Sequence, residues 1–338
     1  MNSKSIKWLL TVGVIAIIIL QVGCKGKQDV EISTDPLFGE YISAYTSGMI
    51  SAHSAITIKL TKPSSKFTFN GDEVHEGYFS FSPSVKGKAY WVDDQTLEYR
   101  PTEVMRSGKV YSSSLALSKL FKGVEPKLKT FRFSFRVIPQ SVSIELNGLI
   151  VRDAENPNSY ELDGTVQTAD VAESEKLNEC IKASVNGMSI ATKLDSTEVV
   201  NTYHLRLEGI ERTVKKGEVR ISWNTSAIGG NSKGYEILEV PPLGSFKVIS
   251  AKAIQTPEQS VTIIFSDLLD RNQNFEGLVE LKGISGLRYE VDRNMLRVYP
   301  PETIEGEKNL NISAGVLNAI GKRLDAEFAQ NLLFEDVN

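Results

Sequence analysis

Gly230-Asn-Ser-Lys-Gly234 has the Gly-x-Ser-x-Gly spacing that hydrolases use to lift a nucleophilic serine on a sharp strand-to-helix turn. Here the pentapeptide joins two stretches of strand character, Arg220–Trp223 and Tyr235–Val240, so the expectation is a hairpin loop. A serine nucleophile also needs a base, and His53, His75 and His204 are scattered. None has the spacing of zinc ligands, and all three are expected on solvent-facing strands or loops. Asp270, Asn272 and Asn274 alternate like the first ligands of a calcium loop, but Phe275 stands in place of the turn glycine and Leu281 in place of the bidentate glutamate. A polar inter-strand loop is the expectation. Trp91 and Trp223 could stack on sugars, yet both lie in strand patterns and are expected in cores. Cys180 sits on the apolar side of a helical pattern and is expected as a buried small hydrophobe. No catalytic residue, metal ligand or cofactor site is predicted, and the chain is expected not to be an enzyme.

Cys24 carries a different chemistry. Lys4 and Lys7 precede an apolar run from Trp8 to Val22, about 15 residues against the roughly 20 that a membrane-spanning helix needs. That length fits a signal-peptide core. Gly23-Cys24 resembles a bacterial lipobox, although Gln21 stands where leucine is usual and Leu20 is one place early. The resemblance implies removal of residues 1–23 and lipidation of Cys24, and two or more acyl chains hold a protein stably on a bilayer. The expected location is the cell envelope, lipid-anchored to a bacterial outer membrane and facing periplasm or surface. Lipidation leaves Cys180 as the single thiol, so no intramolecular disulfide can form. The net charge of −4, from 38 basic and 42 acidic residues, becomes −6 once Lys4 and Lys7 are removed (36 against 42). That balance argues against a nucleic-acid partner.

A chain of 338 residues exceeds one ordinary core. Residues 24–37 are polar and read as a flexible stalk. Beyond them, runs such as Ala55–Leu60, Phe131–Pro139 and Ser260–Ser266 alternate β-branched and aromatic residues with polar ones, the pattern of half-buried strands. Val92–Pro101 (VDDQTLEYRP) and Val291–Pro300 (VDRNMLRVYP) align without gaps. Each reads as a hairpin with Leu97 and Tyr99, or Leu296 and Val298, pointing inward. The offset of about 200 residues is too long for a solenoid repeat and implies related domains on either side of a different one. In the middle region Asp170 reads as an N-cap, Val171 to Ser184 as an amphipathic helix, and Asn186-Gly187 as its stop. The fold class is therefore all-β: tandem Ig-like or macroglobulin-like β-sandwiches with one short helix in the middle domain. The domains are expected at 38–138, 139–244 and 245–338, with the third related to the first. Pro139 and Pro241-Pro242 fall at the seams, where they shorten and stiffen the linkers.

Several stretches resemble, in order, the N-terminal part of bacterial alpha-2-macroglobulin-like lipoproteins, particularly those of Bacteroidetes-type envelopes: Tyr41–Leu60, Leu162–Asp170, Leu207–Asn224, Val240–Ala251, Val261–Leu281 and Phe328–Val337. The resemblance implies an anchored row of sandwiches that contributes to protease trapping, with proteases or downstream domains of a longer chain as partners and no small-molecule substrate. The thioester signature Cys-x-Glu-Gln is missing, since Cys180 is followed by Ile181, Lys182 and Ala183. No long loop reads as bait. A fragment or truncated member is the expectation, supplying anchor, spacer and scaffold wall. A second reading is a stand-alone surface lipoprotein whose Ig-like domains bind glycan or protein, through exposed-loop aromatics such as Phe275 and Tyr160.

Overall fold

The computed structural model describes residues 32–74 and 77–335. Cys24, the apolar run before it and His75 lie outside them. Among the described residues no helix is long and apolar enough to cross a membrane. The chain divides into two compact units, one formed by residues up to Gly48 with Ala55–Glu103 and Val110–Phe135, the other by Met49–Ser54, Val104–Lys109 and the residues from Arg136 onward.

The N-terminal part contains strands β1 (Ile42–Tyr45), β2 (Gly48–Ile50), β3 (Ile56–Leu60), β4 (Glu73–Val74), β5 (Phe79–Ser82), β6 (Gly87–Trp91), β7 (Thr96–Pro101), β8 (Val110–Ala116) and β9 (Thr130–Val137), with a one-turn helix α1 (Leu117–Leu120) after β8. They form sheets ordered β1-β3-β7-β6-β4 and β2-β9-β8-β5. Alternation along β9 drives Phe131, Phe133 and Phe135 inward, and aromatic rings join the two sheets: Tyr45 meets Phe131 at 5.0 Å and Phe81 meets Tyr99 at 4.7 Å. Offset and edge contacts of this kind add to the area they bury.

The next sandwich contains β10 (Val142–Val151), β11 (Ser159–Thr168), helix α2 (Ser174–Cys180), β12 (Ile181–Val185), β13 (Met188–Ile190), β14 (Lys193–Ser196), β15 (Thr202–Glu211), β16 (Gly217–Asn224) and β17 (Lys233–Val240). Its sheets run β10-β11-β15-β14 and β13-β12-β16-β17, and Leu162, Val166, Leu205, Leu207, Val219 and Ile221 pack between them. The last contains β18 (Val248–Ile254), β19 (Ser260–Phe265), β20 (Val279–Leu281), β21 (Arg288–Asp292), β22 (Met295–Tyr299), β23 (Gly306–Ile312) and β24 (Phe328–Phe334). Its sheets are ordered β18-β19-β22-β21 and β20-β23-β24 around a separate core. The architecture is thus a tandem array of Ig-like β-sandwiches, all-β as the alternation predicts.

Both aligned decapeptides are hairpins: Trp91 pairs with Leu97 across β6 and β7, and Val291 with Leu296 across β21 and β22. Leu97, Leu296 and Val298 are fully buried. Tyr99 is half-buried, and its hydroxyl donates to Val85 O at 2.8 Å.

The middle helix differs from its expectation. It covers only Ser174–Cys180, and its N-cap is Glu173, with no side-chain hydrogen bond. Asp170 is instead buried, and its carboxylate accepts from the amides of Val171 at 2.8 Å and Ala52 at 2.6 Å. Ile181–Val185 is strand, paired along β16. Asn186 and Gly187, with φ of 51° and 83°, are the two residues of a hairpin turn that sets Val185 opposite Met188. Asn-Gly is a strong signal for such a turn because both central residues need positive φ.

Candidate functional site: the joint between the second and third sandwiches

A dense polar arrangement in the larger unit forms where β15 ends and the short Pro241–Ser245 connection crosses to β18. Arg212 follows β15 directly, and its side chain is 1% exposed. Its Nε donates to Pro241 O at 3.1 Å, Nη2 to Pro242 O and Ser245 O at 2.8 Å each, and Nη1 to Ser266 O at 3.1 Å and to the Asp267 carboxylate. A guanidinium has five N–H donors, and five acceptors surround this one. That full engagement offsets the desolvation of a buried cation. The sequence supplies the acceptors locally: the carbonyls of a Pro-Pro link stand outside any strand ladder and need donors. Tyr160 of β11 completes the group, its hydroxyl donating to Ser266 O at 2.5 Å. Burial pushes its phenol well above the ordinary range.

A second contact lies at the turn between β21 and β22. Arg293 takes φ of 57°, which turns Asn294 inward, and Asn294 is fully buried. Its Oδ1 accepts from Val151 N at 2.9 Å, and its Nδ2 donates to Leu149 O and Phe265 O at 2.8 Å each. One side chain thus serves β10 of the second sandwich and β19 of the third. Asn294 supplies to the edge of β10 the partners that another strand would otherwise give. Arg293 holds the turn from outside by donating to Arg152 O at 2.8 Å. Its bond to Asp292 also keeps that carboxyl below its usual range. The strands approach closely because β10 bulges at Gly148: a Cβ there would lie 2.6 Å from Ile264 Cδ1 and 2.9 Å from Ser250 Oγ. Ser250 Oγ donates to Asn147 O at 2.6 Å, and Ile150, Ile264 and Met295 form a small apolar cluster beside it. Chemically this arrangement fixes two sandwiches to each other, and its polar groups are engaged with one another.

The residues singled out from sequence are not brought together. Ser232 sits in the loop before β17, its amide bonded to Thr225 Oγ1 at 2.9 Å, and a Cβ at Gly234 would lie 2.3 Å from the Trp223 ring. His53 is exposed; His204, on β15, is partly buried and bonds Asp163. Asp270 Oδ1 and Asn274 Oδ1 accept from the amides of Asn272 and Glu276 at 2.9 and 3.0 Å, so those oxygens shape local turns. Among the described residues no group of three or more His, Cys, Asp or Glu side chains could hold a metal ion. Trp91 is 2% exposed, and Trp223 packs on the core of the second sandwich. Cys180 is buried and unpaired, and burial raises its thiol pKa. Phe275 and Tyr160 are corrections: they are 3% and 1% exposed, because Phe275 packs in the third core beside Tyr289 and Tyr160 serves the joint. Neither ring can stack on a glycan. Arg212 and Asn294 escaped the sequence reading; the signal that could have exposed Arg212 is the run of unpaired carbonyls that a Pro-Pro linker implies.

No protein-family model matches the chain, nor does any curated protein. Among solved structures it is similar to domains 4–9 of the surface layer protein SbsC, at 10% identity and a TM-score of 0.34, over 88% of this chain and 48% of that one. It is also similar to the Bacteroides ovatus mixed-linkage glucan utilization locus SGBP-B, in complex with a mixed-linkage heptasaccharide, at 12% identity and a TM-score of 0.24, over 93% and 69%. A third likeness is to the N-terminal eight Ig domains of Down Syndrome Cell Adhesion Molecule, at 11% identity and a TM-score of 0.18, over 87% and 41%. The chain spans about half the length of the surface layer protein structure it matches, and at these scores the likenesses identify neither a family nor a ligand.

Proposed function

We propose that this chain is the non-enzymatic N-terminal segment of an envelope-anchored alpha-2-macroglobulin-like protein, contributing anchor and scaffold wall to protease trapping. The observation that carries the reading is the joint. Arg212 and Asn294 engage buried groups on both sides of it, as a wall that must keep its shape under load requires. The ordered resemblance of six segments and the lipobox-like Gly23-Cys24 support the same reading from sequence.

Two experiments test it. In a bacterial host the membrane fraction should yield a mature chain beginning at acylated Cys24, and Cys24→Ser should leave residues 1–23 attached and the acyl mass absent. An intact leader with unmodified Cys24 in the parent chain removes the anchor. The coding sequence beyond Asn338 should continue in frame to a Cys-x-Glu-Gln motif, and the purified chain alone should not shield a broad-range protease from a large substrate. Shielding by the chain alone would overturn the division of labour.

A further inference from the structure

An open cleft of about 830 Å³ lies beside the joint, between the second and third sandwiches, within the roughly 300–1,000 Å³ typical of ligand clefts. Its walls are sheet faces rather than loops. Glu145, Asn147 and Asp163 stand on the β10–β11 side, and Lys252 and Arg297 on the β18–β22 side. Because the joint ties those sheets together, the walls are held at a set separation, which lowers the ordering penalty on binding.

We propose that this cleft binds a neutral oligosaccharide. Charge is the first reason: two carboxylates face two cations, so the cleft offers no excess of either sign to hold an ion. The spacing of donors and acceptors is the second. Lys252 Nζ lies 2.5 Å from Glu145 Oε1 and 3.1 Å from Asn147 Oδ1, and Asn147 Nδ2 lies 2.8 Å from Asp163 Oδ2. Donors and acceptors therefore alternate at single hydrogen-bond steps. A sugar hydroxyl, which donates and accepts at once, can enter such an array without leaving a group unpaired. Gln330 of β24, whose Nε2 donates to Ala251 O at 3.2 Å, adds one more amide at the cleft. The third reason is what the cleft excludes: a peptide adding to β10 as a strand would need the edge that Asn294 and Ser250 already occupy. Leu333, 64% exposed, and the half-buried Ala253 and Ile254 also line the cleft and give the apolar surface that the C–H face of a sugar ring requires.

This inference stands apart from the protease-trap reading. Its test is titration of the mature chain with neutral hexasaccharides (cellohexaose, laminarihexaose, mannohexaose), with anionic oligogalacturonide and an unstructured peptide alongside, read by calorimetry and amide shifts. At least one neutral member should bind and shift the amides of β10, β18 and β24, with an affinity insensitive to salt. Arg297→Ala and Gln330→Ala should each weaken it on the order of tenfold, about one hydrogen bond to a charged or amide group. Arg297→Ala, which breaks only a partly exposed pair with Glu290, should leave the melting temperature close to that of the parent chain, whereas Gln330→Ala also loses a bond to Ala251 O and should lower it slightly. Binding of none of the neutral sugars, binding of the anionic sugar or the peptide alone, or full affinity in both variants overturns the proposal.

Discussion

Replacing Asn294 by alanine removes three hydrogen bonds at once, to Val151 N, Leu149 O and Phe265 O, at a position with no exposure to water. At a net of about 1 kcal/mol for each bond the loss is about 3 kcal/mol, a large part of the roughly 5–15 kcal/mol that holds a domain folded. Equilibrium urea unfolding of the chain reads the loss, and amide exchange reads its location: the Val151 amide, which points away from β11 toward Asn294, should lose protection before the centres of β11 and β15 do. Asn294→Asp supplies the sign check. Its ionised form keeps the acceptor but has no donor for the two carbonyls. Burial against those carbonyls raises its folded pKa above the unfolded value near 4. Relative to the parent chain at the same pH, the variant should be most stable in acid and lose stability as pH rises through the carboxylate range. A change under about 0.5 kcal/mol for Asn294→Ala, within the range of an ordinary surface substitution, with Val151 still protected, would refute the reasoning.

Other outcomes follow from the same geometry. Tyr160→Phe removes one donor to Ser266 O, but Arg212 Nη1 still serves that carbonyl, so thermal unfolding should show a loss of only about 1 kcal/mol. Gly148→Ala forces a methyl group against Ile264 and Ser250 and should cost about 1–3 kcal/mol, with chemical shifts moving on both β10 and β19. The Cys180 thiol, buried and raised in pKa, should resist a thiol reagent in the native chain and react when the second sandwich opens in denaturant. Desolvation works to raise the pKa of Asp325, but bonds from Lys322, Ser245 and the Phe246 amide outweigh it and leave the pKa lowered. The stability from that anchor is present above the ordinary carboxylate range and lost as pH falls through the lowered value. Asp325→Asn should therefore flatten the acid limb of a pH–stability curve.

The sandwiches were legible because period-two alternation is dictated locally: each strand shows one face to a core. The aligned decapeptides were legible for the same reason, since turn chemistry and inward leucines sit within ten residues. Asn186-Gly187 misled because the same dipeptide ends helices and closes hairpins, and the pairing of β12 with β13 and β16 decides between them. Phe275 and Tyr160 flank polar, turn-rich segments, so local composition placed them outside, while contacts distant in sequence bury them. Asn294 marks where local reading stops. Its counterpart in the first copy is Gln95, in a four-residue loop, and only a neighbouring sandwich turns the equivalent position into a buried clamp.

The central claim is that the second and third sandwiches behave as one body. Residual dipolar couplings from the amides of β10–β17 and β18–β24 test it most directly. A single alignment tensor should fit both sets in the parent chain, and two should be needed once Arg212→Met and Asn294→Ala are combined. Two independent tensors in the parent chain would contradict the account.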